Sequence, residues 1–197
     1  MDEDRLGFII ADVSGKGVTA AMFMGVSRTL LRFTALQGTC VDRVLTYVNN
    51  LLCVDNELCM FVTAIYGVLN IKTGELKYAN GGHNPPVKIG LDGCVVTLPR
   101  TEGIALGIME GVEFEEGKVT LCPGDLLYLF TDGMSDAQNQ DQAFYTEDTL
   151  MAFLGTLTQV APASVVNSVY KAVTDFVGTG AQFDDMTQLA IQYQPSE

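Results

Sequence analysis

The sequence predicts an α+β fold with two stacked, mainly antiparallel β-sheets and pairs of helices on the outside. Two observations predict this class. Apolar segments with the period of a β-strand follow one another through short, hairpin-like turns. Segments with a helical period are segregated into two pairs, one in each half of the chain. Strands joined mostly by hairpins, with helices set apart in pairs, are typical of α+β layering.

The composition fits one globular domain spanning residues 1–197, of which 48% are hydrophobic. No apolar run reaches the length of a membrane span, so no membrane insertion is expected. The net charge of −13 provides no basic footprint for nucleic acid. The acidic N-terminus is unlike a signal peptide. We interpret the scattered cysteines as reduced, mostly buried thiols of a cytoplasmic protein: Cys40, Cys53, Cys59, Cys94 and Cys122.

The first part of the chain predicts one strand and a helix pair. Residues 6–12 read as a buried strand that ends at Asp12. A helix over residues 18–36 would bury one face, formed by Ala21, Met24, Leu31 and Ala35. A second helix would open at Thr39 or Cys40 and run to about Val54, with one apolar stripe formed by Val41, Leu45, Val48 and Leu52.

The rest of the chain predicts mainly strands, then a second helix pair and a closing strand. The strands before this helix pair are predicted at 61–69, 76–80, 87–89, 95–98, 112–121 and 126–130. Helices follow at about 146–158 and 162–177, with Pro162 in the first turn of the second. Residues 186–193 form the closing strand.

Acidic residues stand at the ends of three predicted strands. Asp12 precedes VSGKG, Asp132 follows the strand LLYLF, and Asp184 and Asp185 come directly before the last strand. Carboxylates at strand ends can converge although they are distant in sequence, and neighbouring glycines let a backbone carbonyl join them. Such an all-oxygen site favours Mg²⁺ or Mn²⁺.

Each of these acids also has an ordinary structural interpretation. An aspartate after a strand often caps a helix or sits in a turn. Asp136 and Asp141 are interpreted as loop acids, and Asp148 as the cap of the helix that begins near it.

Two other motifs are weak. SGKG fails as a nucleotide-binding P-loop, because Ile10 stands where the first glycine is required and Gly17 follows Lys16. The single histidine, His83, is interpreted as a turn residue bonded to the backbone. A pairing of His83 with a cysteine or with Ser14 as nucleophile has little support.

Taken together, six segments resemble one known family over nearly the whole chain. In order they are ADVSGKGVTAAMFMGVSRTLL, FVTAIYGVLN, LKYANGGHNPPV, EGIALGI, PGDLLYLFTDGMSDAQN and FDDMT. The chain is similar in these segments to the bacterial PPM (PP2C-like) serine phosphatases of the SpoIIE/RsbU type.

This resemblance implies a PP2C-like β-sandwich flanked by helix pairs and a metal-dependent protein phosphatase activity. By motif, the metal ligands would be Asp12 with the Val13 carbonyl, Asp132 and Asp184, holding two Mn²⁺ or Mg²⁺ ions that activate a water. Asp185 stands where many relatives have Asn and ranks second. The implied substrate is phosphoserine on a STAS-type anti-sigma-factor antagonist. An upstream sensor or receiver domain would act on the helix after DVSGKG.

The chain also departs from the family pattern. Relatives begin with a strand carrying an acidic metal ligand, and this strand is expected to be missing before residue 1, as in an N-terminally truncated domain. The strand at 6–12 would then seek a partner in another chain, for example in a dimer. Ser14 stands near the place of a histidine in another PP2C branch. The alternative function is a weak or inactive phosphatase fold that docks a signalling partner.

Overall fold

The computed structural model describes residues 4–158, 161–180 and 184–195. The chain forms two compact units. The first contains residues 1–83, 99–121 and 195–197, and the second contains residues 84–98 and 122–194. The elements in chain order are β1 (Arg5–Val13), α1 (Gly17–Ala35), α2 (Val41–Cys53), β2 (Val62–Asn70), β3 (Glu75–Gly81), β4 (Val87–Ile89), β5 (Val95–Thr97), β6 (Gly117–Thr120), β7 (Leu126–Phe130), α3 (Asp132–Ser135), α4 (Glu147–Leu154), α5 (Pro162–Val177) and β8 (Gln188–Gln192).

Within the described residues, each unit contains one antiparallel sheet of four strands, so the α+β prediction is confirmed. The first unit has the order β1-β2-β3-β6, and the second has β5-β4-β7-β8. Hairpins link β2 to β3 and β4 to β5, as the turn residues predicted.

The core of the first unit lies between its sheet and the helix pair. The predicted stripe of α2 is confirmed, since its four members are buried against β2 and against Leu106: Val41, Leu45, Val48 and Leu52. The face predicted for α1 is confirmed at three of its four positions, since Met24 is partly buried against the same core. Leu31 and Ala35 are buried, whereas Ala21 is exposed, because the helix turns Ala20 and Ser27 inward instead.

A close contact between neighbouring strands explains a glycine inside β2. Phe8 and Gly67 are direct partners in the register of β1 and β2. A Cβ atom on Gly67 would collide with the ring of Phe8, which is buried over this position. The large ring therefore supplies the packing that the glycine lacks.

The second unit has its own core. Side chains of β4 and β7 pack against α4 and α5, and the buried members of α5 recur at helical spacing: Val165, Val169, Val173 and Val177. Pro162 is in the first turn of α5, as predicted. β7 is fully buried between β4 and β8, which fits its unbroken apolar sequence.

Two predictions about single elements are wrong, and one short element was not predicted. The strand predicted over 112–121 is shorter in the structure and spans only Gly117–Thr120, which pairs with β3 as far as Tyr78. Beyond Tyr78, β3 contacts Thr101 instead, because the Thr101 hydroxyl accepts a hydrogen bond from Asn80 N at 3.0 Å. The cap of α4 is Thr146, whose side chain accepts from Thr149 N at 3.3 Å, and Asp148 lies within the first turn. The short helix α3 had no periodic signal.

The cysteines differ from the expectation in one respect. All five are free thiols, as predicted, but four are exposed and only Cys53 is partly buried.

Among the described residues no helix combines the length and the apolar character needed to cross a membrane.

Candidate active site

Asp12 lies near the end of β1 in the first unit. It is partly buried and pairs in register with Thr63 of β2, while Val13, the last residue of the strand, pairs with Val62. β1 thus runs one residue beyond its predicted end at Asp12, and Asp12 and Val13 occupy its last two positions.

The SGKG segment is a tight strand-to-helix turn fixed to the residue before β2. Ser14 N donates to Phe61 O at 2.9 Å, and Phe61 N donates to Ser14 Oγ at 3.0 Å. Gly15 and Gly17 have φ values of +82° and +83°, which side-chain-bearing residues rarely adopt. The glycines therefore serve the turn between β1 and α1, and the Ser14 hydroxyl helps to hold it.

His83 is buried near this strand end in the same unit, with 4% of its surface exposed. Its Nδ1 lies 2.8 Å from Thr63 Oγ1, and its backbone N–H donates to Asn80 Oδ1 at 2.7 Å. These contacts differ from the interpretation of His83 as a turn residue bonded to the backbone, because the ring contacts the Thr63 hydroxyl and the backbone groups of His83 bond to the Asn80 side chain.

The second unit places Asp132 next to the segment that carries Asp184 and Asp185. Thr131, at the end of β7, holds this segment: Thr131 Oγ1 donates to Asp185 O at 3.1 Å and accepts from Thr187 N at 3.1 Å. Thr131 N also donates to Thr187 O at 3.1 Å. One residue therefore fixes the approach of the two acidic segments by three hydrogen bonds.

Gly133 makes this approach sterically possible. A Cβ atom at Gly133 would collide with the Asp185 carbonyl oxygen and would lie 2.9 Å from its carbonyl carbon. The glycine after Asp132 is therefore required by the packing of the Asp184–Asp185 backbone against the start of α3. This agrees with the expectation that a glycine next to the acid lets a backbone carbonyl approach.

The carboxylates in this place interact electrostatically. Partial burial is the largest cause that raises the pKa of Asp132, followed by the negative charges of Asp136 and Asp184. More than a third of Asp132 remains exposed, so solvent screens this repulsion. Asp185 N donates to Asp184 Oδ1 at 2.9 Å, which orients that carboxylate. A divalent cation would compensate such like charges, and oxygen donors suit Mg²⁺ or Mn²⁺.

Asp136 is a site residue that the sequence analysis missed. It was interpreted as a loop acid, yet its charge acts on Asp132 and its backbone N donates to Asp132 O at 2.7 Å. The available signal was its spacing, since residues four apart lie on one side of a helical turn. The short α3 carries this spacing.

Another group of potential ligands belongs to the first unit. One ligand atom each from Cys40, Asp42 and Glu116 lies within 4.8 Å of the others. Lys77 Nζ lies 3.2 Å from Glu116 and already supplies a positive charge there. We therefore assign no metal to this group.

The predicted ligands divide between the units. Asp12 and Val13 belong to the first, whereas Asp132, Asp184 and Asp185 belong to the second. Within the second unit the structure brings Asp132 and the segment 184–185 together. The convergence of Asp12 with them stays a prediction.

Comparisons with known proteins show the family to which the chain belongs. Residues 2–194 match the family model described as stage II sporulation protein E (SpoIIE). Protein IcfG of Synechocystis sp. (strain ATCC 27184 / PCC 6803 / Kazusa) is 30% identical over 218 residues, covering 97% of this chain and 34% of IcfG. The phosphoserine phosphatase RsbU of Bacillus subtilis (strain 168) is 26% identical over 140 residues, covering 71% of this chain and 42% of RsbU.

A solved structure shares the fold. The SiaA-PP2C domain of Pseudomonas aeruginosa superposes with a TM-score of 0.85 at 18% identity, covering 98% of this chain and 78% of that chain. The chain spans about a third of IcfG and less than half of RsbU. The match over residues 2–194 and the identity to IcfG show that this chain, with its PP2C-like fold, belongs to the SpoIIE family.

Proposed function

We propose that this chain is a metal-dependent protein serine phosphatase that hydrolyses phosphoserine on a regulatory protein. The observation that carries the proposal is the pairing of Asp132 with the Asp184–Asp185 segment across Gly133, in a chain of the SpoIIE family. The relative RsbU is itself named a phosphoserine phosphatase. That the family match runs through both units supports a single phosphatase domain over residues 1–197.

The proposed ligands are the residues that the sequence predicted. Asp132, Asp184 and Asp185 of the second unit, and Asp12 with the Val13 carbonyl of the first, would hold two Mn²⁺ or Mg²⁺ ions. The ions would lower the pKa of a bound water and offset the charge of the phosphoryl oxygens. The acids themselves bind and orient, and none is proposed as a nucleophile.

Electrostatics supports the need for cations. The chain carries a net charge of −13, and the Asp132 neighbourhood adds clustered carboxylates. Two like charges about 4 Å apart repel by roughly 4 kcal/mol at an effective dielectric constant near 20. A phosphate dianion would be repelled from this place without bound cations, so the proposed activity requires them.

We propose that the substrate is a STAS-type anti-sigma-factor antagonist carrying phosphoserine, and that a sensor or receiver domain regulates the chain. The support for a regulatory partner is the exposed apolar side of α1, where Val18 is 77% exposed and Met22 is 68% exposed. Such exposed apolar groups commonly mark interaction surfaces.

The edge position of β1 in its sheet supports strand pairing with another chain, as in a dimer. The free thiols support a cytoplasmic location.

The second candidate function is a phosphatase-fold module that docks a signalling partner without hydrolysis. The exposed side of α1 also favours this candidate. The two candidates differ in one respect: the phosphatase hydrolyses a phosphate ester, whereas the docking module binds its partner without hydrolysis.

The test is hydrolysis of p-nitrophenyl phosphate and of a phosphoserine peptide at a range of Mn²⁺ and Mg²⁺ concentrations. We expect turnover that rises with metal and is lost in excess EDTA. The Asp132→Asn variant should be inactive, and Asp141→Asn, which changes an exposed loop acid, should match the parent chain. Full activity in excess EDTA would rule out the metal-dependent mechanism. No hydrolysis under any metal condition, with retained partner binding, would favour the docking module.

A further inference from the structure

The segment that carries His83 is fixed from two sides. Asn80 Oδ1 accepts from His83 N at 2.7 Å, and Asn80 Nδ2 donates to His83 O at 2.9 Å. The side chain of Asn80 thus engages both backbone groups of the histidine. The ring, which is 4% exposed, has its place set by this clamp.

The two glycines before His83 bring the segment against its neighbours. Gly82 has φ +71°, and a Cβ atom there would lie 2.7 Å from Ala105 N. Gly82 also forms an isolated bridge with Ala64 of β2, the residue after Thr63. The glycine pair in GGH therefore places the imidazole beside β2 at the level of Thr63.

Thr63 connects this ring to the end of β1. Thr63 is the register partner of Asp12. Its Oγ1 lies 2.8 Å from His83 Nδ1 and donates to the backbone carbonyl of Asp12 at 3.4 Å. The hydroxyl is therefore shared between the buried ring and the backbone of a proposed metal ligand.

Proton counting leaves two possible directions for this chain of hydrogen bonds. A hydroxyl has one proton to donate, and a carbonyl oxygen can only accept. If Thr63 Oγ1 donates to Asp12 O, the contact with His83 is satisfied only when Nδ1 carries a proton and donates to Thr63 Oγ1. The opposite ring tautomer would give up the contact with Asp12. Only the first arrangement keeps both contacts of the Thr63 hydroxyl at once, and we infer it on that ground.

We propose that His83 is a positioning residue, which acts through Thr63 to hold the Asp12–Val13 backbone in the geometry that binds metal. The inference rests on the ligand role of Asp12 given under the proposed function. His83 would not touch the substrate or the metal. Groups that stand behind metal ligands typically change metal affinity by roughly 10- to 100-fold.

The first test is a double-mutant cycle on Mn²⁺ affinity, measured by electron paramagnetic resonance of free Mn²⁺. Thr63→Val removes the hydroxyl at nearly constant shape, and His83→Phe removes the ring donor. We expect each to weaken Mn²⁺ binding by roughly 10-fold or more, and the double variant to bind like either single one. Thr120→Val, on an exposed position of β6, is the matched control and should bind like the parent chain. Additive effects in the cycle would overturn the proposal.

Two conservative variants, His83→Asn and His83→Gln, provide a test that does not depend on whether His83→Phe folds. Asn can place an amide where Nδ1 lies, whereas Gln reaches toward the position of Nε2. We expect His83→Asn to keep most of the Mn²⁺ affinity and His83→Gln to lose it, at similar melting temperatures. Equal affinities of these two variants would contradict the proposal.

A direct readout uses the fact that His83 is the only histidine of the chain. In ¹⁵N-labelled protein we expect Nδ1 to resonate as a protonated nitrogen, and a non-protonated Nδ1 would overturn the proposed direction. The Asp12→Asn variant distinguishes a failure of the ligand role of Asp12 from a failure of the positioning role of His83. If it leaves Mn²⁺ affinity unchanged, the ligand role under the proposed function fails. If it abolishes binding while Thr63→Val and His83→Phe bind normally, only the role of His83 fails.

Discussion

The backbone carbonyl of Asp185 occupies the space that a side chain on Gly133 would need. These two residues are far apart in the sequence, yet their contact sets the distance between the start of α3 and the segment before β8. The hydrogen bond from Thr131 Oγ1 to Asp185 O at 3.1 Å holds the same contact. Backbone packing, rather than carboxylate chemistry, therefore brings the acids of the second unit together.

Gly133→Ala should disrupt this contact. The added methyl must displace the Asp185 backbone, so we expect a loss of about 1–3 kcal/mol in the free energy of unfolding and a weaker response to Mn²⁺. Thermal melting with and without Mn²⁺ measures both effects. Gly25→Ala is the matched control, because a Cβ there meets nothing within 4 Å. That variant should gain about 0.5–1 kcal/mol from helix propensity. Equal melting temperatures of the two variants would contradict the proposed packing role.

Asp132→Asn should separate activity from stability. We expect turnover to fall by more than the roughly 10- to 100-fold typical of residues behind a metal ligand. The folded chain should not be destabilised without metal, because burial and the charges of Asp136 and Asp184 raise the pKa of Asp132. A clear loss of stability without metal, or unchanged kinetics at saturating Mn²⁺, would argue against the ligand role.

The difference in stability between Asp132→Asn and the parent chain should depend on pH. A carboxyl whose pKa is raised on folding binds its proton more readily in the folded state, so stability rises as the pH falls through the folded pKa. We therefore expect any gain in melting temperature of Asp132→Asn over the parent chain in EDTA to be largest near neutral pH. It should shrink as the pH falls and Asp132 becomes neutral. A gap that widens on acidification would show the opposite sign of the shift.

Cys53 should be the least reactive thiol of the chain. Burial, and then the charge of Glu110, raises its pKa, so less thiolate forms at a given pH. Iodoacetamide labelling followed by mass spectrometry should modify exposed Cys94 well before Cys53. Glu110→Gln should speed the reaction of Cys53, whereas Glu113→Gln should not. Labelling of Cys53 at the same rate as Cys94 would contradict this assignment.

Thr146 should contribute to stability as the cap of α4. Thr146→Ala removes the oxygen that accepts from Thr149 N, and we expect a loss of about 1 kcal/mol in denaturant unfolding. Thr146→Ser keeps the oxygen and is the control. Asp148→Ala should cost only about 0.3 kcal/mol, since this exposed acid interacts with the helix dipole alone. A larger effect of Asp148→Ala would restore Asp148 as the cap.

The sequence by itself determined the order and type of most elements. Alternating or continuous apolar runs marked β1, β2 and β7, and the helical stripe marked α2, because these periods are properties of short segments. Asp12 and Asp132 could be placed beside glycines at strand ends for the same reason. The motif order also indicated the family before any fold was known.

Only the tertiary structure decided which distant segments meet. The contact of Gly133 with Asp185, the hydrogen bond of His83 to Thr63 and the effect of Asp136 on Asp132 depend on chain paths that no local period encodes. The short length of β6 also depends on such a contact, because Thr101 bonds to β3 where a longer β6 would pair. Thiol exposure likewise follows from which surfaces pack together. Local sequence sets conformational preference, whereas packing among remote residues sets contact and burial.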